Sequence, residues 1–538
     1  MPGRRARRPV RTPRPARIPA QGPFRGMRDS LDPSTADPQL ARLLQNVYSL
    51  DPKRGAAVVG RPGVRVMGAQ GGSSGARTGQ FVGQFTKENG TEYTIRITGG
   101  KVETFNWGTR VWSEAVTAAQ LAGAGIALSA TARVYGLPFA DRIIFSDGVN
   151  TPWMWDGTTG GGLTKLTACP VLYGPPIQYY AKVFGIAAAD RTSVVWSEEG
   201  DATIGYGTGV YANNAWSLVQ TSSDRLTRLV GTNEALFYAR ENAWDAVSGA
   251  VSADFQTSGV HAGYSEGTGT KSPAAVLFHG GRIYFLDAEG LPHVLTPGLG
   301  VQPLWEDFAE TVSALDEAQL ASAVAYHDPG TGLVGFAAVE LAQAVPTLQI
   351  MVDPRMEPAQ SAAIWRGHTI QAVATVKSGT GAPARVHLSS DGYAYEHGAP
   401  DGALWDDAFA GGSRAIEHVV EPAEAGYNLD TDLVFDRLDL SFRAQSSMTN
   451  MRLSYATPRG ESQPLPLSLT SNRTRWNLFK WGQAKWSSST LEQHVPVGLE
   501  AFGRWMRWRL QHAAPGEQFG LVMGQPRGRY DSDAPEIP

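Results

Sequence analysis

At 538 residues the chain is longer than one small hydrophobic core organises, and its 61 glycines, 34 prolines and 15 tryptophans against 18% charged residues favour short strands and turns over long helices. A single cysteine, Cys169, excludes a disulfide framework, a cysteine zinc site and an iron–sulfur cluster. The net charge of −4 conceals an asymmetry: residues 1–28 hold nine arginines and no Lys, Asp or Glu, and removing those nine from the 47 basic residues leaves 38 against 51 acidic ones, a balance of −13 over residues 29–538.

Residues 1–23 read as an extended Arg/Pro-rich arm. The segment has no apolar h-region, so it is not a secretory signal peptide, and its composition cannot bury a core. It is either a solvated tail or an assembly tether outside the folded body. In the second case Arg4, Arg5, Arg7, Arg8, Arg11, Arg14 and Arg17 order against an acidic partner surface or nucleic acid.

Residues 24–79 form an N-terminal segment. Asp37 before Pro38 predicts a helix start, and Leu40, Leu43, Leu44 and Val47 follow helical spacing, so one short amphipathic helix is expected. Turn-rich sequence follows. Gly71–Gly75 (GGSSG) matches G-x-S-x-G, but it lies in a Gly/Ser run without the strand and helix a nucleophile elbow needs. No run of 18 apolar residues occurs; the longest, Ala115–Val134, is broken by Gln120, Ser129 and Thr131, so no membrane-spanning segment is expected.

From residue 80 the pattern is β. Glu92–Thr98 and Lys101–Trp107 flank Gly99-Gly100, a two-residue hairpin signal. Similar pairs begin at Arg142 (through Asp147-Gly148 to Trp155), Tyr180 (to Ser197), Ala235 (to Val247), Arg282 (through Glu289-Gly290 to Leu295), Ala323 (through Asp328-Pro329-Gly330 to Val339) and Arg385 (through Asp391-Gly392 to Glu396). Their spacing of about 40–60 residues is what a propeller blade of four short strands requires. The expected fold is therefore mainly β, with a β-propeller of six or seven blades over 80–432.

Beyond residue 432, Leu438, Leu440 and Phe442, and then Met506, Trp508 and Leu510, alternate with polar or charged neighbours, predicting strands with one buried face. A separate C-terminal β-sandwich is expected over 433–525, followed by a polar tail at 526–538.

Chemistry-bearing motifs are sparse. Gly205–Gly209 and Gly267–Ser272 are glycine-rich but lack phosphate-loop context. Ten histidines are scattered without ligand spacing, although His387 and His397 straddle a hairpin. Ser389-Ser390-Asp391-Gly392 departs from the sialidase S-x-D-x-G-x-T-W box. No catalytic, cofactor-binding or metal-ligating residue is assigned, and no enzyme activity is expected. Arg473, Arg475, Lys480, Lys485, Arg504, Arg507 and Arg509 interleave with Trp476, Trp481, Trp486, Trp505 and Trp508. That pattern suits either base stacking or arginines covering tryptophans on a sandwich face, and strand alternation favours the second.

The opening FRGMRDSLDPSTADPQLARLLQNVYSLDPKRGAAVVGRPG resembles the start of tailed-bacteriophage tail proteins in which such a string precedes a β-propeller. RIIFSDGVNTPWMWDGT, YYAKVFGIAAADRTSVVWSEEGD, DRLTRLVGTNEALFYARENAWDAVSG and GGRIYFLDAEGLPHVLTPG follow in the order of the blades of podophage tail nozzle-type proteins. The resemblance covers residues 24–400; the Arg/Pro arm departs from it. It implies a structural virion protein of the tail. Six copies would form a ring below the portal and adaptor, with other tail proteins as partners and viral DNA passing through during ejection. An acidic body suits such a passage, because each neutralised phosphate would add affinity that resists sliding. A receptor-binding or polysaccharide-degrading tail protein is the alternative.

Overall fold

The computed structural model describes residues 15–530 apart from 17, 23, 25, 29–36, 50–56, 73–77, 220–223, 250–258, 305–308, 357–361, 399–405, 410, 411, 427–431, 444–447 and 470–491. The chain is mainly β and divides into two compact units. A central unit comprises 62–359 and 365–414; a terminal unit gathers 1–61, 360–364 and 415–538.

Small antiparallel sheets follow one another along the central unit. The first has Gly79–Thr86, Glu92–Thr98, Lys101–Asn106 and Val111–Val116. Tyr135–Phe139, Arg142–Ser146, Trp153–Trp155 and Leu163–Lys165 make the second. The third is led by Leu172–Tyr179, Lys182–Ala187 and Ser193–Glu198, and the fourth by Leu226–Gly231, Leu236–Arg240 and Ala243–Ser248. Val276–His279, Arg282–Leu286, Pro292–Thr296 and Gly300–Pro303 form the fifth. Val324–Asp328, Leu333–Ala338 and Leu348–Val352 belong to the sixth. The seventh orders Ala372–Lys377, Pro383–Leu388 and Ala394–His397 and is then joined by Val64–Val66 from the other end of the sequence.

Every predicted hairpin falls within one sheet. Gly99 (φ 59°) and Gly100 (φ 74°) adopt the two left-handed conformations of a type I′ turn. The first hairpins of the second and third sheets close on Ala140-Asp141 and Tyr180-Ala181, all four with positive φ although none is glycine. Tyr180 is therefore a turn residue, and its strand begins at Lys182.

Apart from Val324–Asp328 in the sixth sheet, the leading strands escaped the sequence reading. Tyr135–Phe139 contains Pro138, and Leu172–Tyr179 contains Pro175-Pro176. Proline is tolerated there because these strands are sheet edges, where a missing donor breaks no ladder.

Neighbouring sheets share apolar cores. Ile95, Ile97, Ile143, Phe145, Trp153 and Trp155 fill one between the first and second. Val183 packs with Ile144 and Met154, and Leu226 and Leu229 with Phe184 and Trp196. Trp244 and Phe285 join the fourth to the fifth. His279 stacks on His327 with ring centroids 3.9 Å apart, and Arg385 lies over Tyr326 at 4.7 Å, linking the fifth, sixth and seventh. Val82, Phe105 and Trp112 meet Val376, Val386 and Leu388, so the seventh sheet packs on the first.

In the terminal unit one sheet orders Val47–Ser49, Val58–Gly60, Gly520–Tyr530, Leu433–Arg443 and Glu492–Gly503, with Pro15–Ala16 paired to Gly520–Tyr530. The other runs from Leu40–Gln45 through His418–Pro422 and Arg507–His512 to Met448–Thr457. The sheets face each other: the Trp508 indole sits directly over Gly524, where a Cβ would collide with it. Leu438, Leu440, Phe442, Met506, Trp508 and Leu510 are all buried, as the alternation predicts.

Several expectations are corrected here. Leu40–Gln45 is a strand, not a helix: Asp37 Oδ1 accepts from the Gln39 amide in a turn, and the strand is held by His418–Pro422 on one side and by Gly26–Met27 on the other. Leu40 and Leu44 are buried in this sheet, so leucines at helical spacing serve a fully flanked strand equally well. Residues 433–525 are not a separate domain, because strands from 15–60 and 418–422 complete both of their sheets. The strand Gly520–Tyr530 runs past the boundary expected at 525. The small-sheet unit ends at 414 rather than 432. Part of the N-terminal arm is folded body as well: Ile18 and Gln21 are buried, and the Gln21 amide donates to the Gly524 carbonyl at 2.8 Å.

Candidate functional site

The leading strands of the central unit, and the loops entering them, converge on one pocket of about 350 Å³. Gln80, Tyr135, Pro175, Arg228, Ala274, Val324 and Ala372 place every one of the seven sheets on its wall. Phe81, Ile143 and Val276 make much of the lining apolar. Only Arg133 and Arg228 among the lining residues are charged, and no Asp or Glu is present.

Arg133 precedes the second sheet and reaches across to the sixth and seventh. Its Nη2 donates to the carbonyls of Ser322 at 2.7 Å and Gln371 at 3.1 Å, and Nη1 to that of Ala323 at 3.3 Å. These neutral acceptors fix the guanidinium without cancelling its charge. Arg228 sits in the leading strand of the fourth sheet. Its Nε is sealed from solvent with no hydrogen-bond partner among the described residues. Burial pushes the guanidinium pKa down to about 10, with nearby Tyr135 acting in the opposite direction.

Side-chain amides fasten the seam where the seventh sheet meets the first. Gln371 Oε1 accepts from the Gly79 amide at 2.7 Å, and Gln84 both accepts from the Lys377 amide at 2.6 Å and donates to its carbonyl at 3.3 Å. Gln80 Oε1 accepts from Gly100 at 2.8 Å while its Nε2 donates to the carbonyls of Ser129 and Ala132. The two arginines supply the pocket's charge.

The residues singled out from the sequence do not gather here. Arg4, Arg5, Arg7, Arg8, Arg11, Arg14 and Arg17 lie outside the described residues, as do Ser73–Gly75 and Arg473, Arg475, Lys480 and Lys485. Arg507 pairs with Glu421 at 3.1 Å and Arg509 with the same carboxylate at 3.5 Å, while Trp508 points to the opposite, buried face. These arginines therefore serve ion pairs rather than cover that tryptophan. His387 stacks on Tyr395, and His397 stacks on Trp365 and lies 3.4 Å from the buried Asp328 carboxylate. Asp391 shapes its own turn, accepting from the Tyr393 amide and the Tyr395 hydroxyl. Among the described residues no group of three or more His, Cys, Asp or Glu could hold a metal ion, and no helix is long and apolar enough to cross a membrane.

Sequence reasoning missed Arg133 and Arg228. Each is a lone cation in an apolar stretch, Ala132–Val134 and Leu226–Val230, which marks a charge enclosed by packing. That both face one pocket follows only from the order of the sheets.

No family model matches the chain, and no curated protein matches it. Similar solved structures include the virginiamycin B lyase of Staphylococcus aureus (9% identity, TM-score 0.39, covering 61% of this chain and 97% of that one). BamB of Moraxella catarrhalis is 10% identical, with TM-score 0.32 and coverages of 65% and 95%. The computationally designed Ika8 protein is 11% identical, with TM-score 0.34 and coverages of 63% and 99%. At these distances no activity is carried across.

Proposed function

We propose that the central unit is a seven-bladed β-propeller closed by Val64–Val66, that the terminal unit is a β-sandwich, and that the protein is a non-enzymatic structural component of a phage tail. In this reading several copies form a nozzle-type ring below the portal and adaptor and guide DNA during ejection. One observation carries it: the four segments that resemble nozzle-type blades each supply the middle strands of one sheet, the second to the fifth, in the same order. Support also comes from the interlaced chain. The opening segment enters the terminal unit's sheets before Val64–Val66 completes the seventh sheet of the central unit, so both units depend on the same N-terminal stretch. The acidic balance of residues 29–538 suits a passage that must release phosphates.

Electron microscopy of intact virions together with mass measurement of purified tails tests this reading. The expected result is a fixed multiple of this chain in a ring at the tail; virions lacking the chain would overturn it.

A further inference from the structure

We propose that the pocket at the convergence of the seven sheets is a binding site for a small organic anion, held between Arg133 and Arg228 by its carboxylate or phosphate head. This goes beyond the structural role above and does not depend on it. A volume of about 350 Å³ with walls that are part apolar and part polar fits a small molecule carrying both an apolar body and a charged head. The pocket contributes two positive charges and no carboxylate, an arrangement that attracts negative charge.

The two arginines play different parts. Arg133 is held in place by three carbonyl bonds, which leave two of its five N–H donors uncommitted. Arg228, a partly buried residue, keeps a buried Nε without a protein acceptor among the described residues, a donor whose desolvation no protein group offsets. A planar carboxylate or a phosphate matches the donor fork of such a side chain. Gln80 and Gln84 are already engaged through both their amide atoms, so the guanidinium groups supply the charge that selects an anion.

The test is thermal unfolding of the full chain with succinate or phenyl phosphate, against sodium chloride at equal ionic strength. Saturating probe should raise the midpoint by about 2–5 °C over chloride, and titration calorimetry should register saturable binding. A larger shift from phenyl phosphate assigns a phosphate head; a larger one from succinate assigns a carboxylate. Arg228→Met should abolish the anion-dependent shift while leaving the anion-free midpoint at or above that of the wild type, since no protein partner is lost. Arg228→Lys, which keeps the charge without the fork, should bind more weakly, and it decides the matter if the methionine variant does not fold. The proposal is overturned if neither probe exceeds chloride at 10 mM, or if the shift survives replacement of Arg228.

Discussion

The indole Nε1 of Trp508 donates to Oε1 of Gln21 at 2.7 Å, joining residues 487 positions apart between the two sheets of the terminal unit. Gln21 passes the connection on, its Nε2 donating to the Ala423 carbonyl. Trp508 is fully buried, with Phe24 at 6.5 Å between ring centroids. Trp508→Ala should cost about 3–5 kcal/mol in denaturant unfolding, by lost burial and the cavity left behind. Trp508→Phe keeps most of the apolar area but strands the Gln21 oxygen, at a cost of about 1–3 kcal/mol. A loss below about 1 kcal/mol for the alanine variant would contradict this placement.

The same contacts relocate the boundary of the N-terminal arm. Pro15 and Ala16 pair with Arg529 and Gly528, and Ile18 is buried. Removing residues 1–23 should therefore lower the unfolding midpoint of the isolated subunit. Removing residues 1–14 deletes none of these contacts and should leave the midpoint near that of the full chain. Equal midpoints for the two truncations would show that 15–22 contributes nothing.

How much of this was legible depends on how local each signal is. Gly99-Gly100 determines its hairpin with two residues, and the strand Arg142–Ser146 lies where its apolar run and the following Asp-Gly turn put it. Trp508 and Phe442 revealed their buried faces by alternation alone. Leu40–Gln45 could not be read this way, because its partners are supplied from 26–27 and 418–422. The leading strands, with Pro138 and Pro175-Pro176, look like loops until their edge position is known. The two pocket arginines have no motif in sequence; closure of the sheets on one another makes them neighbours.

The turn at Tyr180-Ala181 offers a stabilising substitution. Ala181 has φ 54°, in the left-handed region where a Cβ costs about 1–2 kcal/mol. Glycine avoids that cost but loses about 0.4–1 kcal/mol through its freer unfolded chain. Ala181→Gly should therefore stabilise by about 0.5–1 kcal/mol in equilibrium unfolding, while Ala181→Val, β-branched at the same φ, should destabilise. If glycine proves destabilising, the left-handed assignment is wrong.

Acid should weaken both units through one buried and one half-buried histidine. His512 lies 3.4 Å from His418 and 3.0 Å from Glu517; burial, the larger influence, holds its pKa below the ordinary value although Glu517 acts to raise it. His327 is lowered by burial and by the stacked His279, against Asp328. The unfolded chain takes up these protons near pH 6.5, and the folded chain only at lower pH. The corresponding stability is present above that value and is lost as pH falls toward the folded pKa. The unfolding midpoint should be lower at pH 5.5 than at pH 7.5, and His512→Gln and His327→Gln should each narrow the gap. An unchanged gap in both variants would place its origin elsewhere.

Closure of the seventh sheet by Val64–Val66 makes the last prediction. His397 pairs with Val64 and Tyr395 with Val66, and the Met67 amide donates to the Ala394 carbonyl at 2.8 Å. Glu396, 1% exposed, accepts from Arg65 at 2.8 Å and from Arg110 of the first sheet at 3.1 Å, so one buried carboxylate ties the closing strand to both neighbours. Glu396→Gln should destabilise by about 1–3 kcal/mol, because the two arginines would then donate to a neutral amide oxygen instead of a carboxylate. Val64→Asp is more severe, since it places an unpaired carboxylate at a site only 1% exposed and should release the strand. The edge at Ala394–His397 would then lose its partner. Hydrogen exchange should accelerate there and in Pro383–Leu388, whereas Leu236–Arg240 in the fourth sheet keeps its protection longer. Because the closing strand comes from a distant part of the sequence, its release should also expose an unpaired strand that promotes association between molecules. Unchanged exchange at Ala394–His397 in Val64→Asp would show that the seventh sheet holds without its N-terminal strand.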